Sequence, residues 1–180
     1  MKAMLKWNLG FLVIGMLALA GSLAQAQTTA NGPYYATPSW DQQLPASTRF
    51  IVLLNWGSAA VLDRETGLVW EKSPDATQRN LTQAQAHCLT NRVGGRKGWK
   101  LPSIKELASL IDPTQTSPAL PAGHPFIGVQ SSVYWSATSF AFDTVFAWGV
   151  LFVNGGVFGF DKSGTPFVWC VRGGPGGDPQ

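Results

Sequence analysis

The stretch Tyr134–Gly174, YWSATSFAFDTVFAWGVLFVNGGVFGFDKSGTPFVWCVRGG, decides the fold. Aromatic and β-branched residues dominate it, and turn residues break it at Asp143-Thr144, Asn154-Gly155-Gly156 and Lys162-Ser163-Gly164. That punctuation predicts consecutive antiparallel strands joined by tight turns. Between the first two breaks, Val145, Ala147, Gly149, Leu151 and Val153 alternate with Phe146, Trp148, Val150 and Phe152. Both sets are apolar, so this strand is expected at the centre of a sheet.

Upstream lies a shorter strand pattern. Phe50–Leu54 (FIVLL) reads as a buried strand, and Ala60–Asp63, Arg64–Gly67 and Leu68–Glu71 read as strand, turn and strand, with Gly67 supplying a positive φ. Two helical segments separate these strands from the final sheet. In the first, Asn80 precedes LTQAQAHCLTNR as an N-cap, Leu81, Ala84 and Cys88 share a face, and Gly94-Gly95 are expected to stop the helix. The second opens on Ser103 with Glu106 three residues later, a capping box; its apolar face is Ile104, Leu107, Leu110 and Ile111, and Asp112-Pro113 closes it. The Pro-rich loop 114–130 is long enough to need packing by its own Leu120, Phe126 and Ile127. Composition and element order give an α+β domain.

Lys2 and Lys6 precede an apolar run from Leu9 to Ala20, and Ala24-Gln25-Ala26 then offers small residues before a cut at Gln27. This pattern predicts a signal peptide over 1–26, a run too short for a typical spanning helix of about 20 residues, and an exported product, periplasmic or extracellular, without stable membrane insertion. Residues 27–48, with Pro33, Pro38 and Pro45, read as an N-terminal arm, 49–174 as the folded domain and 175–180 as a disordered tail. The chain carries 13 Lys and Arg against 10 Asp and Glu; losing Lys2 and Lys6 leaves 11 against 10, a net charge near +1. Nothing global then argues for nucleic acid as a partner. In an exported chain the two cysteines, Cys88 and Cys170, are expected to form one disulfide between the first helix and the end of the last sheet, worth on the order of 4 kcal/mol for a loop of about 80 residues.

TGLVWEK (Thr66–Lys72), a helix ending at Cys88, GWKLPSIKELASLID (Gly98–Asp112), YWSAT (Tyr134–Thr138), AWGVLFVNGGV (Ala147–Val157) and WCVRGG (Trp169–Gly174) recur in one order in a family of exported bacterial domains. Over roughly Val61–Gly174 the chain resembles the C-terminal domain of the Legionella collagen-like adhesin. The resemblance implies a C-type lectin-like or formylglycine-generating-enzyme-like fold, with two helices flanking a twisted antiparallel sheet, and a link to sulfated glycosaminoglycans. Trp169 stands where members of that family often carry an arginine.

No catalytic set is visible. His87 and His124 make no metal-ligand spacing, so no metal ligands, catalytic residues or cofactor are assigned, and pairing of the two thiols removes the chemistry of formylglycine-generating enzymes. The calcium motifs of lectin-like folds are missing; Asp143, Asn154 and Asp161 read as turn residues. The candidate binding residues are Arg92, Arg96, Lys97, Lys100 and Lys105, cations opposed only by Glu106 and spaced by Gly94, Gly95 and Gly98. They point to a non-catalytic module for a glycan, sulfated or otherwise anionic, or another surface ligand. The second reading is a cell-envelope interaction domain, because Phe140, Phe142, Phe146, Phe158, Phe160 and Phe167 cannot all join Trp135, Trp148 and Trp169 in one core.

Overall fold

The computed structural model describes residues 44–173. The expected signal peptide over 1–26, most of the expected arm and the expected tail lie outside the described residues. The elements run α1 (Ala46–Arg49), β1 (Phe50–Val52), β2 (Ala60–Asp63), β3 (Leu68–Glu71), α2 (Leu81–Thr90), α3 (Ile104–Ala108), β4 (Val133–Ser139), β5 (Phe146–Leu151), β6 (Gly156–Asp161) and β7 (Val171–Arg172), with 3-10 turns at Leu54–Trp56 and Val93–Gly95.

The α+β class holds, but there are two antiparallel sheets where one was expected: β1-β2-β3-β7 and β4-β5-β6. β5 is the central strand of the second sheet, as its two apolar faces require. The end of the quoted stretch does not stay there. Val171 and Arg172 pair with Trp70 and Val69 of β3, while Phe167, five residues before, bonds to Val133 and Trp135 beside β4. Residues 167–172 therefore form the seam between the sheets. A period-2 apolar pattern specifies a strand but not its partner, which is why the sequence does not separate these ladders.

Trp169, in that seam, is fully buried and lies against Trp70, Phe126, Tyr134 and Phe152 at ring-centroid distances of 5.7, 4.9, 5.7 and 5.6 Å. Its indole N–H donates to the Glu71 carbonyl at 2.9 Å. Trp169 is thus an aromatic core position in this chain. A second cluster packs Trp56, Trp99, Trp135, Leu81 and Ala84 around the Cys88–Cys170 disulfide, which forms as expected with Cα atoms 5.4 Å apart.

Local rules account for the helices. Asn80 caps α2 by accepting from Gln83 N–H, and Gln83 returns the bond, a complete capping box. α2 ends earlier than Gly94-Gly95, at Thr90 with Asn91 following. Gly94 answers to tertiary contact: its φ is +64° and a Cβ there would lie 2.8 Å from Trp56 Cβ. The Ser103–Glu106 capping box forms, but α3 is only five residues long, and Leu110 and Ile111 follow it as irregular core residues. In the loop 114–130, Leu120 and Phe126 are buried while Ile127 is exposed.

Candidate functional site

The basic segment emerges from the C-terminal end of α2. Asn91 Oδ1 accepts from Val93 N–H at 2.9 Å, which turns the chain into the 3-10 turn, and Trp99 anchors the far end by donating its indole N–H to the Val93 and Arg96 carbonyls at 3.3 and 3.1 Å. Lys100 then joins Val171 in a two-bond bridge. The Arg96-Lys97 pair is thereby held on a loop fixed at both ends.

The five candidate cations separate into unequal roles. The Arg96 guanidinium lies over the Trp56 ring at 5.4 Å, and Arg172 lies over the same ring at 5.3 Å while donating its Nε to the Lys97 carbonyl at 2.7 Å. Trp56, itself buried and set edge-on to Trp99 at 6.3 Å, is the platform on which Arg96 and the buried Arg172 meet. Lys100 is withdrawn into an ion pair with Glu106 at 2.8 Å. Arg92 turns back to the carbonyl of Asn91 at 2.7 Å, a cation at a helix C-terminus. Lys105 stands exposed on α3. Among the described residues, neither Lys97 nor Lys105 lies within ion-pair distance of a carboxylate.

The contacts of Trp56 and Arg172 with the basic segment were not legible in the sequence. Both lie far in sequence from the basic segment, and no local spacing marks them. The aromatic expectation divides in the same way: Trp135 and Trp169 are buried, Phe142 is 90% exposed and Phe158 51% exposed. Phe140 stacks on Trp148 at 4.7 Å and meets Phe142 at 5.7 Å, forming an apolar patch beside the β4–β5 connection. The oxygen donors weighed for calcium serve their own turns: Asp143 accepts from Val145, Asn154 from Gly156, and Asp161 from Ser163.

A third cluster was not anticipated. Glu71, at the end of β3, is buried and accepts from Cys170 N–H at 2.8 Å and from the Asn91 side-chain amide. Burial pushes its carboxyl up to about 7, against the pull of those two bonds. The donor atoms of Glu71, His87 and Cys170 lie within 4.8 Å of one another. Asp75, paired with Arg79 at 2.6 Å, approaches His87 Nε2 to 3.7 Å. Burial, and secondarily Arg79, lower the His87 pKa.

The family model for the Lcl C-terminal domain matches residues 59–172, from the start of β2 to the end of β7. The chain belongs to the Lcl C-terminal domain family. Membership makes it an adhesin-associated domain. The matched span of this Lcl domain contains the disulfide, the basic segment and Arg172, whereas Trp56 falls just before it. No curated protein matches the chain. No helix of the described residues is long and apolar enough to cross a membrane.

Proposed function

We propose that this Lcl domain is an exported, non-catalytic binding module of C-type lectin-like fold that recognises a polyanionic glycan, of the sulfated class, through the exposed cations of the basic segment anchored on Trp56. The observation that carries this reading is that the exposed Arg96 is stacked on the Trp56 indole beside the exposed Lys97, whose backbone carbonyl the buried Arg172 holds in place. Guanidinium groups held on an aromatic face are pre-oriented, so less side-chain freedom is lost when a sulfate or carboxylate arrives. Arg92 and Lys105 are also exposed cations. Lys100, neutralised by Glu106, contributes least.

The test is binding of a heparin-like glycan across a salt series. Exposed cations are screened with a Debye length of about 8 Å at physiological ionic strength, so affinity falls as salt rises. Replacing Arg92, Arg96, Lys97 and Lys100 together by Ser or Gln abolishes binding while Trp emission reports an unchanged fold. A folded quadruple variant that binds as wild type overturns the proposal.

The Phe140–Phe142–Trp148 patch supports a second reading, assembly with another cell-envelope protein, since Phe142 is almost wholly exposed. Association through that patch survives salt and is lost in Phe142→Ser, the reverse of the glycan pattern.

A further inference from the structure

The disulfide and the residues around it carry more than a cross-link. Sγ of Cys170 is one of three donor atoms, with a carboxylate oxygen of Glu71 and a ring nitrogen of His87, that lie within 4.8 Å of one another, and Cys88 Sγ is bonded to it directly. We propose that, with the disulfide reduced, Cys88, Cys170, His87 and Glu71 bind one thiophilic divalent cation of the zinc class in tetrahedral coordination. Two thiolates, an imidazole and a carboxylate are a donor set suited to that ion.

Three features beyond proximity favour this. His87 Nε2 is shielded from solvent and makes no hydrogen bond, an arrangement that is costly for a buried ring nitrogen and that coordination relieves. The Glu71 carboxylate is already oriented by Cys170 N–H and the Asn91 amide, the outer partners that fix a metal ligand, and the Asp75 carboxylate stands 3.7 Å from His87 Nε2, adding negative charge beside the cation. The cluster also has a partly exposed side: His87 and Asp75 are 26% and 27% exposed, while both cysteines are buried. A zinc–sulfur distance of about 2.3 Å places the two sulfurs roughly 3.8 Å apart in a tetrahedral site, a separation reached by side-chain rotation once the bond opens.

The chemistry balances with a dithiol as reductant. Thiol–disulfide exchange transfers two electrons and two protons to the Cys88–Cys170 bond, leaving two thiols, while the dithiol closes to its own disulfide. The cation then displaces the two thiol protons to water. The cross-linked and metal-bound states use the same sulfurs and exclude each other.

The full chain is reduced with a dithiol, separated from it under nitrogen and titrated with Co2+. The expected result is one equivalent bound, with sulfur-to-cobalt charge-transfer absorption and the strong visible bands of a tetrahedral site, displaced by Zn2+ and missing from the oxidised protein. His87→Ala, a partly exposed substitution with native Trp emission in the oxidised state, weakens binding at least about tenfold. The proposal is overturned by a reduced, folded chain without thiolate absorption, by equal affinity in His87→Ala, or by equal affinity in guanidinium-denatured chain. It is also overturned if reduction unfolds the domain and Zn2+ does not restore the native emission.

Discussion

Arg49 and Asp63 meet through two parallel hydrogen bonds, Nε to Oδ1 at 2.9 Å and Nη2 to Oδ2 at 2.8 Å, with both side chains essentially withdrawn from solvent. Arg49 closes α1 and Asp63 closes β2, and the same guanidinium donates to the Ser109 carbonyl at 2.7 Å and approaches Glu65 at 3.2 Å. This fork joins the N-terminal turn, the first sheet and the end of α3. Asp63→Ala leaves a buried cation short of its main partner and costs about 3 to 5 kcal/mol, measured by denaturant unfolding. A loss below 1 kcal/mol would mean that Glu65 alone satisfies the arginine.

Glu71 makes the stability of the domain depend on pH. Its folded pKa of about 7 lies above the ordinary carboxylate value of 4.5, so the native state keeps a proton that the unfolded chain releases. Stability contributed by this group is therefore complete below about pH 4.5 and lost as pH rises through 7, by about 3 kcal/mol. His87, with its pKa lowered, acts in the opposite direction, so the difference between wild type and Glu71→Gln isolates the carboxyl. That difference narrows by the stated amount between pH 4.5 and 8; parallel stability curves would sink the assignment.

Gly94→Ala tests the platform beneath the basic site. A Cβ at that position, already at a φ of +64°, meets the Trp56 Cβ at 2.8 Å and forces the indole away from Arg96 and Arg172. The expected outcome is a loss of about 1 to 3 kcal/mol in unfolding free energy, with weaker heparin binding in protein that remains folded. Gly95→Ala, with nothing within 4 Å of its Cβ, carries only the backbone penalty and keeps its binding.

Ser103 accepts from Glu106 N–H and Glu106 returns a 2.7 Å bond to Ser103 N–H, so Ser103→Ala costs about 1 kcal/mol. Lys105→Ala, exposed on the same helix, costs within about 0.5 kcal/mol. Equal effects in a urea series would contradict this placement of the cap.

What was legible follows the range of the interactions involved. The capping residues Asn80 and Ser103, the turn at Gly67 with φ +68°, and the central place of β5 were all readable, because each is fixed by neighbours within a few residues or by strand alternation. The disulfide was readable from cysteine count and expected export. The division into two sheets was not, because it rests on whether Val171 pairs with Trp70 or with a strand of the last sheet, and both surfaces are apolar. The same blindness hid Trp56, Arg172 and the Glu71–His87–Cys170 cluster, whose members meet only through tertiary contact. Among the five candidate cations, sequence could not tell Lys100, tied to Glu106, from Lys97, which meets no carboxylate among the described residues.

The pairing of β7 with β3 also sets an order in time. A chain made from its N-terminus presents β3 with one edge bare until residues 171 and 172 arrive, and Trp169 and Cys170, which close the two cores, arrive only just before them. No earlier length of chain can complete either core, and contacts spanning about a hundred residues make the final closure slow compared with local helix formation. Both cores therefore stay incomplete until the chain has passed Cys170, so a premature stop before Trp169 removes a core residue from each cluster as well as the last strand.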